Sequence, residues 1–204
     1  MADIIDVAKY ILEKCGTMTT MKLQKLCYYS QAWHLIWEEV SLFKEDFQAW
    51  ANGPVCYELF SKHRGHFLIS VDDLPQLCGN NLTATECEII DMVIEFYGDK
   101  EGHWLSELTH KERPWREARQ KANALPGDAC NEIITKESIA DYLFRNIIMT
   151  KRRSIKIENE VTASFEKNKN NWKIQIATLT NTRHGTFLNV ILLMKNGQSI
   201  KLTL

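Results

Sequence analysis

Residues 19–34 read TTMKLQKLCYYSQAWH, and this stretch decides how the first 150 residues fold. Apolar and aromatic side chains recur there at intervals of three and four, which predicts a helix beginning at Thr19 or Thr20. The main face of this helix consists of Leu23, Leu26, Cys27, Ser30, Trp33, His34 and Trp37. A second apolar group widens that face and leaves only a narrow polar stripe, formed by Gln24, Lys25, Tyr28 and Gln31. A helix so apolar around its circumference is expected at the centre of the fold.

The neighbouring segments also read as helical. Asp3 is a good N-cap for a first helix that ends at Gly16, and Thr83 with Glu86 forms the sequence signature of a capping box. Further helical patterns cover residues 83–98, 101–110, 114–122 and 136–147. Residues 43–50 predict a short strand. We expect Gly53-Pro54 to open the next helix, which ends near Gly65, because proline in a first helical turn loses no hydrogen bond.

Near residue 150 the hydrophobic period changes from 3.6 to 2. Apolar and polar residues alternate over 155–165 and 172–176, residues 187–194 are apolar on both faces, and Asn196-Gly197 is a strong hairpin signal. This pattern predicts an antiparallel meander of about four strands. The expected fold class is therefore α+β, with a helical domain over 1–149 and a β-rich extension over 150–204. Because the strand over 187–194 is apolar on both faces, we expect each face to pack against another surface. That surface is the helical body, a second copy of the chain in a homodimer, or a partner protein.

The net charge of −1 conceals an uneven distribution. Residues 151–204 hold ten Lys or Arg and three Glu, giving a charge of +7. Residues 1–150 hold fifteen Lys or Arg and twenty-three Asp or Glu, giving a charge of −8. The basic tail, which begins Lys151-Arg152-Arg153, could face nucleic acid, contact an acidic protein or dock on the acidic body. A charged connector is the commoner explanation, so nucleic acid is an unlikely partner. No apolar run reaches the ~18 residues of a membrane helix and no export signal begins the chain, so we expect a cytoplasmic protein.

The sequence offers few candidates for catalysis. Six cysteines occur without a CxxC pair, and no HExxH or glycine-rich phosphate loop is present. Cys27 and His34, seven residues apart, could form a nucleophile pair, but a buried structural cysteine and a buried histidine are the commoner interpretation. We expect no catalytic residue, no metal and no cofactor.

The pattern of motifs resembles the Panacea domain of the SocA-like antitoxin family, which is associated with bacteria, phages and prophages. The resemblance covers roughly residues 4–145. It depends on the segment from Met21 to His34, on Leu42-Phe43, and on the blocks Ala49-Trp50, Gly53-Pro54-Val55, Pro114-Trp115 and Ala118-Arg119. Cys56-Tyr57 departs from the family, where a small or apolar residue is often followed by proline.

The resemblance implies a non-enzymatic antitoxin of a toxin–antitoxin system that neutralises a cognate toxin by direct contact. A relative acts as an adaptor that delivers its toxin to an ATP-dependent protease, so a protease is an alternative partner. The structural residues of the motif are expected to be Leu23, Leu26, Trp33, Trp50, Gly53 and Pro54. The residues expected to face a partner are Gln24, Lys25, Tyr28, Gln31, Trp115 and Arg119. The alternative for the polar stripe is that it forms hydrogen bonds inside the fold.

Overall fold

A computed structural model describes residues 2–75, 81–155, 172–182, 185–194 and 199–203. The chain divides into two compact units, Met1–Leu143 and Phe144–Leu204. The division predicted at residue 149 and this boundary both fall within the last helix.

Seven α-helices lie in the described part of the chain, and they confirm the expected α+β class together with the strands given below. Their bounds are α1 Ile4–Cys15, α2 Thr20–Trp37, α3 Tyr57–His63, α4 Ala84–Tyr97, α5 Gly102–Lys111, α6 Arg113–Lys121 and α7 Lys136–Ile155. The predicted caps are confirmed. Asp3 accepts from the amides of Ile5 and Asp6, and the Thr83–Glu86 capping box starts α4. These caps form because each satisfies an amide that the first helical turn leaves unpaired.

The strands of the first unit are short. They are β1 Met18–Thr19, β2 Phe47–Trp50, β3 Gly53–Cys56, β4 Leu68–Ile69 and β5 Ile133–Ile134. β1 pairs with β4, while β3, β2 and β5 form a three-stranded antiparallel sheet in that order. The Ala49↔Pro54 and Trp50↔Gly53 pairs place the reversal between β2 and β3 at residues 51 and 52.

α2 is the central helix, as expected. It contacts α1, α4, α5 and β3. Leu23 and Leu26 are fully buried in the core, and Trp33 packs against that core while remaining half-buried. Tyr29 stacks on Tyr97 of α4 with ring centroids 4.3 Å apart, which joins the two helices through a large buried aromatic contact.

One expectation about the first unit was wrong. Gly53-Pro54 does not open a helix but begins β3, and α3 starts three residues later at Tyr57. Gly53 does set the chain reversal, with φ +96°. The residues that follow stay extended because they pair with β2, a tertiary interaction that outweighs the helix-starting preference of proline.

The second unit contains an antiparallel sheet in the order β6 Trp172–Thr182, β7 Gly185–Met194 and β8 Ser199–Thr203. Ile176 pairs with Ile191 and Leu192 with Ile200, so the predicted strands after residue 172 are present. The strand predicted from residue 155 is corrected at its start, because Ile155 ends α7. The rest of that predicted strand lies outside the described residues, as does the Asn196-Gly197 turn.

Candidate functional site: a clamped hairpin and the groove beside it

The polar stripe of α2 holds the main chain of a hairpin. We call residues 47–56, which comprise β2, the reversal and β3, the clamped hairpin. The Gln24 side chain makes both main-chain hydrogen bonds to Cys56: its Oε1 accepts from the Cys56 amide at 2.9 Å, and its Nε2 donates to the Cys56 carbonyl at 3.2 Å. A glutamine carboxamide has one acceptor and one donor side, so it can pair with a residue as a neighbouring strand would. The inner edge of β3 is thereby closed.

Lys25 holds the same hairpin two residues earlier. Its Nζ donates to the Pro54 carbonyl at 3.0 Å, and the side chain is only 1% exposed. Burial lowers the pKa of Lys25 to about 7. Gly53 lies directly over this lysine, since a Cβ added there would come 2.7 Å from Lys25 Cε and 2.6 Å from Thr109 Oγ1. Glycine is therefore required at residue 53 both for its positive φ and for this close approach.

α5 and α6 hold the first half of the clamped hairpin. Trp115 Nε1 donates to the Trp50 carbonyl at 2.9 Å, and Arg119 Nη1 donates to the Ala49 carbonyl at 3.0 Å. Ser106 Oγ donates to the Asn52 carbonyl at 2.9 Å. Arg119 also binds the carbonyls of Leu125 and Asp128. Side chains from three helices thus bond five carbonyls of the clamped hairpin, which fixes its backbone in one position: those of Ala49, Trp50, Asn52, Pro54 and Cys56.

The other polar residues of α2 act in the same way on different segments. Gln31 accepts from the amides of Leu42 and Phe43 and donates to the Phe43 carbonyl at 3.1 Å. Tyr29 donates its hydroxyl to Glu112 Oε1 at 2.9 Å. Burial raises the pKa of Glu112 to about 7, and hydrogen bonding to the hydroxyls of Tyr29 and Tyr28 offsets part of that rise. This carboxyl is the buried acidic group at the start of α6.

These positions correct the expectation that the polar stripe is exposed. Five of the six predicted partner-facing residues are buried, namely Gln24, Lys25, Tyr28, Gln31 and Arg119. Their polar atoms bond the chain itself, as the alternative interpretation of the stripe stated. Trp115 is half-buried, with its ring stacked on His110 at 4.2 Å. Four of the six still converge, because Gln24, Lys25, Trp115 and Arg119 all bond the clamped hairpin.

Trp50 was also expected in the core, and this is corrected. Its side chain is half-buried and lies at the surface of the first unit, with its ring 4.8 Å from that of Phe60. Trp50, Phe60 and Asn131 line two adjoining cavities of about 560 and 580 Å³. We call these two cavities the aromatic groove. Tyr57, which is 51% exposed, extends its wall.

The ionisable side chains of the aromatic groove are mainly basic. Lys25, His63 and His66 line the first cavity and Arg64 lines the second, while no aspartate or glutamate of the described chain lines either. His63 Nε2 lies 3.1 Å from Gln24 Nε2. Because Gln24 Oε1 already accepts from Cys56, this amide nitrogen must be the donor and His63 Nε2 the acceptor, so the ring is neutral. Burial lowers the pKa of His63, in agreement with that state.

Sequence reasoning missed Tyr57, Phe60 and Arg64 as surface residues of this site. Tyr57 and Phe60 lie three residues apart on α3, and that spacing was a detectable signal, whereas Arg64 follows the end of the helix. The start of α3 depends on the strand before it, so the helix expected from Gly53-Pro54 did not give these positions.

The candidate nucleophile pair does not have the surroundings of a reactive centre. Cys27 is fully buried, and that burial together with Cys56 raises the pKa of its thiol well above the usual value, which favours the unreactive protonated form. His34 donates from Nδ1 to the Val40 carbonyl at 2.9 Å. Over the described ranges, no three His, Cys, Asp or Glu side chains come together as metal ligands.

Comparison with known families gives one match to this chain. Residues 23–116 match the model of the family described as antitoxin SocA-like, Panacea domain. Over these residues the chain is similar to the SocA-like Panacea domain. The matched range contains most of α2, the clamped hairpin, α3, α4 and α5, and so includes most of the residues that build the site. The family description supports an antitoxin role, and hence a toxin as partner.

Neither the curated proteins nor the solved structures give a significant match. No helix in the described ranges has the length and apolar character to cross a membrane.

Proposed function

We propose that this Panacea protein is an antitoxin that neutralises a cognate toxin by direct protein–protein contact, without catalysing a reaction. It acts in the bacterial cytoplasm, and the gene belongs to a toxin–antitoxin pair of phage or prophage origin. The family match over residues 23–116 carries this proposal.

The surface proposed for the toxin is the aromatic groove. Its wall is formed by Trp50, Tyr57 and Phe60, and aromatic side chains are among those that contribute most to protein–protein binding. The clamped hairpin presents Trp50 on a backbone that is already fixed by hydrogen bonds. A fixed surface loses little conformational entropy on binding, which favours affinity.

Co-expression with the product of the adjacent reading frame tests this function. We expect the full chain to restore growth and to co-purify with that product. The Trp50→Ala variant should lose both, whereas Trp104→Ala, which removes another partly exposed tryptophan on α5 outside the groove, should keep both. Thermal melting of each variant checks that it is folded. No complex and no growth rescue with the unaltered chain would contradict the proposal.

The same cells distinguish blocking from delivery to a protease. If the toxin is only bound, its half-life stays unchanged or lengthens when the antitoxin is present. A shortened half-life would instead indicate the adaptor role seen in a relative.

A further inference from the structure

The aromatic groove differs in charge from the part of the chain that contains it. Residues 1–150 carry a formal charge of −8. In the described ranges, however, no aspartate or glutamate side chain lines either cavity. The groove instead presents Arg64 and His66 at its surface, both exposed, with His63 and Lys25 buried beneath. Arg64 therefore supplies the positive charge at the surface of the groove, and no carboxylate of the described lining opposes it.

The apolar part of the groove is a cluster of aromatic rings around Phe60. Phe60 contacts three aromatic rings, with centroid distances of 4.8 Å to Trp50, 5.6 Å to His63 and 6.2 Å to Tyr57. Because Trp50 and Phe60 line both cavities, they form the wall that the two cavities share. An apolar side chain placed against this wall would be covered on more than one side.

From these two observations we infer that the groove binds an acidic segment of the toxin, with an apolar side chain against Trp50 and Phe60 and a carboxylate paired with Arg64. This inference rests on the proposed function. Arginine suits such a role because its planar guanidinium can bond both oxygens of one carboxylate. The exposed position of Arg64 leaves that guanidinium accessible, and aromatic neighbours beside an arginine are the usual composition of a binding hot spot.

Basic and aromatic side chains also occur where proteins bind single-stranded nucleic acid. The charge distribution favours the acidic protein segment. A nucleic acid strand carries a negative charge at every nucleotide and would extend beyond the groove onto a body of charge −8. A single carboxylate bound at Arg64 stays within the groove and does not reach that acidic body.

The test compares two charge reversals on α3 and the residue after it. Arg64→Glu changes a residue that lines the groove, whereas Lys62→Glu makes the same change in charge at an exposed residue that lines neither cavity. Both variants are made in the full chain, and their Kd for the purified product of the adjacent reading frame is measured by isothermal titration calorimetry. We expect Arg64→Glu to weaken binding at least tenfold and Lys62→Glu to weaken it less than threefold. An Asp or Glu→Arg change in the toxin, at the contact found by hydrogen exchange, should restore binding to Arg64→Glu.

The outcomes separate the two proposals. If the unaltered chain forms the complex and Arg64→Glu binds as tightly, the groove inference is overturned while the antitoxin function stands. If the unaltered chain forms no complex, both fail. Binding of a fluorescein-labelled dT12 oligonucleotide that Arg64→Glu abolishes and Lys62→Glu does not would also overturn the inference, in favour of a nucleic-acid site.

Discussion

The carboxamide of Gln24 pairs with both main-chain polar groups of Cys56, thirty-two residues away, and so takes the place of a β-strand. β3 has β2 on one side and this side chain on the other. A helix residue therefore closes a sheet edge that would otherwise leave the buried Cys56 amide without a partner. The same carboxamide donates to His63, which links α2, β3 and α3 at the floor of the groove.

The Gln24→Met substitution should destabilise the protein strongly. Methionine has a similar length but leaves the Cys56 amide and His63 Nε2 buried without their Gln24 partner, at a cost of about 1–3 kcal/mol for each group. We expect the free energy of unfolding to fall by about 3 kcal/mol, measured by urea denaturation with tryptophan fluorescence. Gln120→Met, at an exposed residue of α6, is the matched control and should change it by less than about 0.5 kcal/mol. Equal unfolding midpoints for the two variants would contradict the clamp.

The Gly53→Ala substitution should cost more than Gly65→Ala. Both glycines have positive φ, +96° and +88°, so alanine is strained at either position. Only at Gly53 would the new Cβ meet other atoms, at 2.6 Å from Thr109 Oγ1 and 2.7 Å from Lys25 Cε, while nothing lies within 4 Å at Gly65. We expect Gly53→Ala to be less stable than Gly65→Ala by about 1–3 kcal/mol in the same urea assay, the usual cost of overpacking. A matching loss in both would show that Lys25 moves aside freely.

The Glu112→Gln substitution should remove a pH dependence of stability. Burial raises the folded-state pKa of Glu112 from 4.5 to about 7, so between these values the folded protein binds more protons than the unfolded chain. The stabilising contribution is complete below about pH 4.5 and is lost as the pH rises through about 7. Glutamine stays neutral and still accepts from Tyr29. We expect the unaltered protein to lose on the order of 2–3 kcal/mol relative to this variant between pH 5 and 8.

Urea midpoints of both proteins at pH 5, 6, 7 and 8 measure this difference. His63 has a lowered pKa and therefore contributes the opposite slope, with stability lost as the pH falls below about 6.5. Since both proteins contain His63, its effect cancels in the comparison. Parallel profiles for the two proteins would show that Glu112 is not buried in its protonated form.

Local patterns predicted much of this fold because their interactions lie within a few residues. Asp3 caps α1 through the amides of Ile5 and Asp6, and Thr83 caps α4 in the same way. Pro54 shows the limit of such reasoning. Its local preference for a helix start was outweighed by pairing with Ala49, and the register of that pair depends on Gln24, Trp115 and other side chains distant in sequence.

The sequence by itself determined the central helix, the helix caps, the change to a β-rich second part and the resemblance to the Panacea domain, since each is expressed in periodicity or in a motif. Only the tertiary structure decided which way the polar stripe faces. Gln24 and Lys25 are as compatible with a surface as with a core when considered alone, because the cost of burying a polar group depends on whether a partner meets it. Those partners, the Cys56 and Pro54 main-chain groups, are supplied by a hairpin about thirty residues further along the chain. The groove is a product of the same folding, because Trp50 and Asn131 join Tyr57 and Phe60 of α3 only in the folded chain, and no local spacing expresses that approach.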